Sequence, residues 1–133
     1  MTRSRTDDAA AWALAALMVV SGVSHFTRPD HFRSLVPSWL PARSAVVAVS
    51  GLADVAVGVL VAVPATRRTG ARATAGLITT YLPAHLEPLR HRHTAQEAFD
   101  RPAGVAARVA VNLGYVAWAV AVARRPTGRS RTG

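Results

Sequence analysis

Asp54 is the sole charged residue in an apolar run of twenty residues, 44–63, that ends at Pro64. As a helix such a run rises ~30 Å, enough to cross the hydrocarbon core of a bilayer. A carboxylate at that depth costs at least ~2.5–3.5 kcal/mol on insertion scales, so it is expected to face a bundle interior and to have a partner. Arg108 lies inside another apolar run, 103–123. An acid and a base buried in separate spans are the makings of a proton or ligand site, since a plain anchor needs neither.

Other polar residues fall in line with these two. Ser50, Asp54 and Gly58 stand four apart and share a helical face, as do Tyr81 and His85, and Arg108 and Asn112, with Gly104 continuing the last stripe. Gly51 beside the first stripe would let a neighbouring backbone approach closely. Pro83, between Tyr81 and His85, removes an amide donor and bends its helix. Counting rise from the outer ends of their spans, Asp54 lies ~15 Å deep, Asn112 ~13 Å and Arg108 ~7 Å. Arg108 is thus expected to reach down to Asp54 or up toward His25, His85 and Glu87. In this reading Asp54, Arg108 and His85 are the groups that polarise or protonate a ligand. His25, Ser50, Tyr81 and Asn112 line its pocket. The alternative is that the cluster is interhelical glue, worth ~0.6 kcal/mol per contact on average.

The elements that must position these residues are four apolar runs, 9–23, 44–63, 71–82 and 103–123. The runs are apolar all round, with only small polar residues interspersed, which fits lipid-facing helices rather than the one-sided helices of a soluble bundle. The expectation is an all-α, integral membrane four-helix bundle forming a single domain over residues 1–133, with spans near 8–25, 44–63, 69–86 and 103–123. The third span is the weakest, because Arg72 opens it and Pro83, His85 and Glu87 crowd its far end. Asp7 and Asp8 suit the start of the first helix, capped by Thr6. They also interrupt the basic stretch that a cleavable signal would need after Arg3 and Arg5. Phe32, Leu35, Val36 and Trp39 follow helical spacing and predict a short interfacial helix between spans 1 and 2. Residues 126–133 read as a disordered tail.

Half of the residues are hydrophobic and the mean hydropathy is +0.21. All sixteen basic residues are Arg, and the net charge is +9. No basic, aromatic-rich face or nucleic-acid motif accompanies that charge, so the expected partner is the lipid bilayer and not nucleic acid. Nine Arg fall on the side of the two termini and the Arg67, Arg68, Arg72 turn, against six on the other. That excess predicts a multi-pass protein of the cell (inner or plasma) membrane with both termini cytoplasmic. All five histidines, His25, His31, His85, His91 and His93, then lie at the outer side, where proton chemistry would face. His91-x-His93 could grip a metal, but two such ligands are a weak signal, and no metal site is assigned. There is no cysteine, so the chain itself does no thiol chemistry. No haem, flavin or metal motif is present.

Several segments resemble the DoxX-like family of membrane proteins. Ser21-Gly22-Val23-Ser24-His25-Phe26-Thr27-Arg28-Pro29-Asp30 looks like that family's G-x-x-H-F-x-R-P-[DE] segment. Val36-Pro37-Ser38-Trp39-Leu40-Pro41 is similar to its V-P-x-[YW]-L-P loop, and Ser50 to Gly58 to its S-G-x-x-E-x-x-x-G helix. Tyr81-Leu82-Pro83-Ala84-His85 is similar to F-P-A-N, and Arg108 with Asn112 to R-x-x-x-Q. The resemblance runs from Ser21 to Trp118. It implies a four-helix membrane fold and association with redox chemistry, since some relatives are subunits of a sulfur-compound oxidoreductase that passes electrons to quinone. Here Asp54 stands for Glu, Asn112 for Gln and His85 for Asn, two shorter side chains and one new titratable group. The expected function is a redox-associated component, a subunit of a membrane oxidoreductase, that binds a quinone-like or other small ligand and takes electrons from a redox partner protein. Alternatives are a non-catalytic scaffold or anchor for a partner protein, and a small-solute or proton-coupled transporter. Monomer and oligomer are both open.

Overall fold

The computed structural model describes residues 4–91, 93 and 98–126. The chain forms helices α1 (Arg5–Thr27), α2 (Pro29–Leu35), α3 (Arg43–Ala62), α4 (Arg67–Leu86) and α5 (Pro102–Arg124), with 3-10 turns at Glu87–His91 and Ala98–Asp100. The described residues contain no strand, so the fold is all-α. Of the expected tail 126–133, all but Pro126 lies outside the described residues, as do Arg3 and Arg92 from the Arg count.

α1, α3 and α5 are each long and apolar enough to cross a membrane. α4 has 20 residues, the length of α3, but Arg67, Arg68, Arg72 and a set of threonines lower its hydropathy. Three of those threonines do not present free hydroxyls. Thr74 donates to the Gly70 carbonyl, Thr79 to Ala75 and Thr80 to Gly76, at 2.9, 2.7 and 2.9 Å. A hydroxyl turned back one helical turn hides its polarity from an apolar surrounding, so α4 is less polar in three dimensions than in composition.

α1 begins two residues earlier than a Thr6 cap would place it. Ser4, in extended backbone, is the cap: its Oγ accepts the Thr6 N–H at 3.1 Å, and Asp7 and Asp8 fall in the first turn. Thr6 is already helical. The interfacial helix is shorter than its apolar spacing implied. Pro37 disfavours helical backbone at the residue before it, and Val36 is extended (φ −70°, ψ 125°), so α2 stops at Leu35. Val36 and Trp39 lie in the connecting chain, which enters α3 through Ala42 in the left-handed region (φ 53°, ψ 47°).

The four long helices share a core of Ala11, Leu14 and Ala15 from α1, Val61 from α3, Ala71 from α4, and Ala119, Val122 and Ala123 from α5. α1 packs along α3, α3 on α4, and α4 along α5. The α1–α3 seam is close because it is built on glycine. A Cβ placed on Gly22 would lie 2.5 Å from the Gly51 carbonyl oxygen, and one on Gly51 would lie 2.8 Å from His25 Cβ.

At the α3–α4 turn every carbonyl of the last turn of α3 has a partner. Val59 accepts the Val63 N–H at 3.1 Å and Leu60 the Thr66 hydroxyl at 2.8 Å. Arg67 donates from Nε to Val61 (2.9 Å) and from Nη2 to Ala62 (3.1 Å), while its Nη1 pairs with Asp8 at 2.7 Å. Arg67, counted in the sequence as one of a cluster of solvent-side charges, is only 3% exposed. Four carbonyls left over at a helix end and the negative end of its dipole explain the placement.

Candidate functional site

The glycine seam decides where α1 puts its polar residues. Ser21 and His25 flank Gly22 on one face of α1, and the close approach brings both against Asp54 of α3. Ser21 Oγ donates to Asp54 Oδ2 at 2.8 Å. Tyr81 of α4 reaches across with a hydroxyl 3.1 Å from Asp54 Oδ1 and 3.2 Å from the Ser50 carbonyl. His25 Nδ1 is 2.9 Å from the Ser21 carbonyl oxygen and 3.9 Å from Asp54 Oδ2. A carbonyl oxygen only accepts, so in the neutral ring Nδ1 carries the hydrogen and Nε2 keeps its lone pair. The ring is held by stacking on Phe32 of α2, with centroids 3.8 Å apart. Asp54 itself is 1% exposed. The carboxyl is therefore buried, as its position in the run required, and both of its oxygens are hydrogen-bonded.

This arrangement forms part of the wall of a cavity of about 480 Å³, inside the range typical of small-molecule sites. Its walls are mostly apolar: Leu17 and Met18 from α1, Leu35, Val36 and Pro37 from α2 and the chain after it, Ile78 from α4 and Tyr115 from α5. His25, Ser50, Asp54, Tyr81, His85 and Asn112 all line it, together with Ser21. His85 Nδ1 is buried and has no hydrogen-bond partner among the described residues. A buried polar atom without a partner is uncommon in folded proteins and here belongs to a side chain on the cavity wall.

Arg108 takes the outward of the two directions left open to it. It does not line the cavity and is not the partner of Asp54; its Nη2 lies 3.4 Å from Asp100 Oδ1 in the turn preceding α5. Asp100 stands eight residues before Arg108, about two helical turns, and the guanidinium follows its own helix outward to it. Asn112 lines the cavity but spends its amide on the Arg108 carbonyl at 2.8 Å, within α5. The hydrogen-bond donors around Asp54 are instead the Ser21 and Tyr81 hydroxyls, with the His25 ring 3.9 Å away.

Two contributors were not singled out from the sequence as site residues. Ser21 was quoted only within a motif, although its spacing of four from His25 puts both on one face of α1. Glu87, 7% exposed, accepts the Ser38 N–H at 3.2 Å and lies 3.6 Å from Arg90. It thereby ties the chain after α2 to the end of α4, over the cavity. No sequence spacing links residues 38 and 87. Among the described residues no three His, Asp, Glu or Cys side chains converge as metal ligands would.

A family model described as "Domain of unknown function (DUF8561)" matches residues 14–123, a segment that contains every cavity-lining residue. No curated protein and no solved structure matches the chain.

Proposed function

The chain belongs to the DUF8561 family, and we propose that it is a multi-pass membrane protein binding a small, largely apolar ligand with a hydrogen-bonding head, of the quinone class, as part of a redox system. α4 serves as the fourth span beside α1, α3 and α5, and the Arg excess sets both termini on the cytoplasmic side. The observation that carries the reading is the cavity of about 480 Å³ that joins apolar walls to the hydrogen-bonded Asp54 and to two histidines. Apolar walls with a few fixed polar groups are what an apolar ring bearing carbonyls requires. The resemblance to DoxX-like proteins supports the same ligand class.

A quinone head supplies two carbonyl oxygens that accept hydrogen bonds and take up one proton each when two electrons arrive. The chain's own part is to orient that head and to hold protons near it. Tyr81 and Ser21 fix Asp54; Phe32 and the Ser21 carbonyl fix His25. His85, with its buried unpartnered nitrogen, is the group best placed to hydrogen-bond a ligand directly. Electrons come from a redox partner protein. Arg108, paired with Asp100, acts as a positioning residue for the outer end of α5 and not as a group that touches ligand.

The test is a titration of the purified protein, in lipid nanodiscs, with a benzoquinone bearing a ten-carbon tail, followed by tryptophan fluorescence. Saturable binding that weakens in His85→Ala supports the reading. Non-saturable partitioning, together with unchanged host respiration in Asp54→Asn, would leave a scaffold for a partner protein as the better account.

A further inference from the structure

We propose that the cavity is loaded sideways from the lipid, between the outer halves of α3 and α4, by an amphiphile whose single apolar tail stays in that slit. The inference rests on the small-ligand reading above and adds the route and the shape of the ligand.

The path from water is roofed. Leu35, Val36 and Pro37 are buried over the outer end of the cavity, and apolar side chains pressed onto a cavity mouth exclude water from it. Two ties hold that roof down. Ser38 N–H bonds Glu87 at 3.2 Å, and Arg33 bonds Ser44 at the start of α3 at 3.2 Å.

The side wall is different. α3 and α4 approach closely at their inner ends, where a Cβ on Gly70 would lie 2.7 Å from the Leu60 backbone. Toward the outer end the helices are spanned by a whole tyrosine side chain, Tyr81 reaching the Ser50 carbonyl. The cavity-lining residues that are also exposed are Trp39, Thr80 and Pro83, and two of these lie on α4. Thr80 is six residues before the end of α4 at Leu86, about 9 Å below it. An opening at that depth faces acyl chains and not bulk water. Its rim is suited to them: the Thr80 hydroxyl is bonded back to Gly76, and Pro83 has no N–H to present. A tail lying there meets no unsatisfied donor, while the head reaches the Asp54 and His85 walls.

The chain has no cysteine, so Thr80→Cys gives one labelling site. With a bimane label there, in nanodiscs, phospholipids brominated along the acyl chain should quench strongly and aqueous iodide weakly. Strong iodide quenching without quenching by brominated lipid overturns the lateral opening, whatever the ligand. For the tail, Thr80→Trp should weaken binding of the ten-carbon-tailed benzoquinone by about tenfold and leave the same ring without a tail unaffected. Equal weakening of both probes overturns the tail path while the ligand reading stands. If neither probe binds the unsubstituted protein, the ligand reading and this inference fall together.

Discussion

Replacing Arg67 by Met separates a buried helix cap from a surface charge. Arg67 bonds the Val61 and Ala62 carbonyls and pairs with Asp8 while 3% exposed. Met is of comparable length and keeps most of the packing, so what is lost is the polar part. Each buried carbonyl left without a donor costs about 1–3 kcal/mol. The Asp8 pair is half in solvent on the acid's side, with that side chain 44% exposed, and adds at most about 1 kcal/mol. Partial relaxation of the turn lowers the sum, and we expect a loss of about 2–4 kcal/mol. For a chain of this size that corresponds to a fall in Tm of about 10 °C. The neighbouring Arg68 is exposed, and Arg68→Met should stay within about 0.5 kcal/mol of the parent. The assay is thermal unfolding of both variants in the same detergent, with circular dichroism at 222 nm as the readout. If Arg67→Met and Arg68→Met melt together, the carbonyl accounting at the end of α3 is wrong and Arg67 acts only as a surface charge.

Three further substitutions test the elements around the site. Tyr81→Phe removes the hydroxyl shared by Asp54 and the Ser50 carbonyl; a loss of about 1–3 kcal/mol is expected in denaturant titration, and an unchanged midpoint would mean that Tyr81 does not hold the acid. Gly22→Ala puts a methyl 2.5 Å from the Gly51 oxygen, so α1 must move off α3. Overpacking of that kind costs about 1–3 kcal/mol, and quinone affinity should fall with it because Ser21 is carried away from Asp54. Retention of both stability and affinity would show that the seam is looser than the glycines imply. Ala42→Gly relieves a left-handed backbone at a residue with a Cβ; a gain of about 0.5–1 kcal/mol is expected, and a lower Tm would contradict the strain.

Much of the fold could be read from the chain alone, for a simple reason. Length and apolarity are sums over consecutive residues, and no neighbour is needed to evaluate them. The runs at 44–63 and 103–123 became α3 and α5 almost residue for residue, because each apolar run begins where a polar loop ends and a proline, Pro64 or Pro126, follows its end. Local rules carried as far as one turn. Thr74, Thr79 and Thr80 of α4 return their hydroxyls to carbonyls four residues earlier, whereas apolar spacing carried α2 past Leu35, where Pro37 ends it by acting on Val36. Even the burial of Asp54 followed from one residue in one run.

The partners of that residue did not. Spacing put Asp54 on one face of α3 and Arg108 on one face of α5, but the rotation of each helix about its axis is set by contacts that no spacing records. Gly22 against Gly51 turned Ser21 and His25 toward the acid, and Tyr81 reached it from α4. Arg108, long enough to reach in either direction, found Asp100 on its own helix side first. The same holds for Arg67, whose role depended on α3 ending beside it, and for Glu87, which meets Ser38 only once the chain has crossed the bundle. The sequence by itself determined that an acid would be buried among four helices. Tertiary packing decided which donors surround it, because a side chain spends its hydrogen bonds on whatever the backbones bring within about 3 Å.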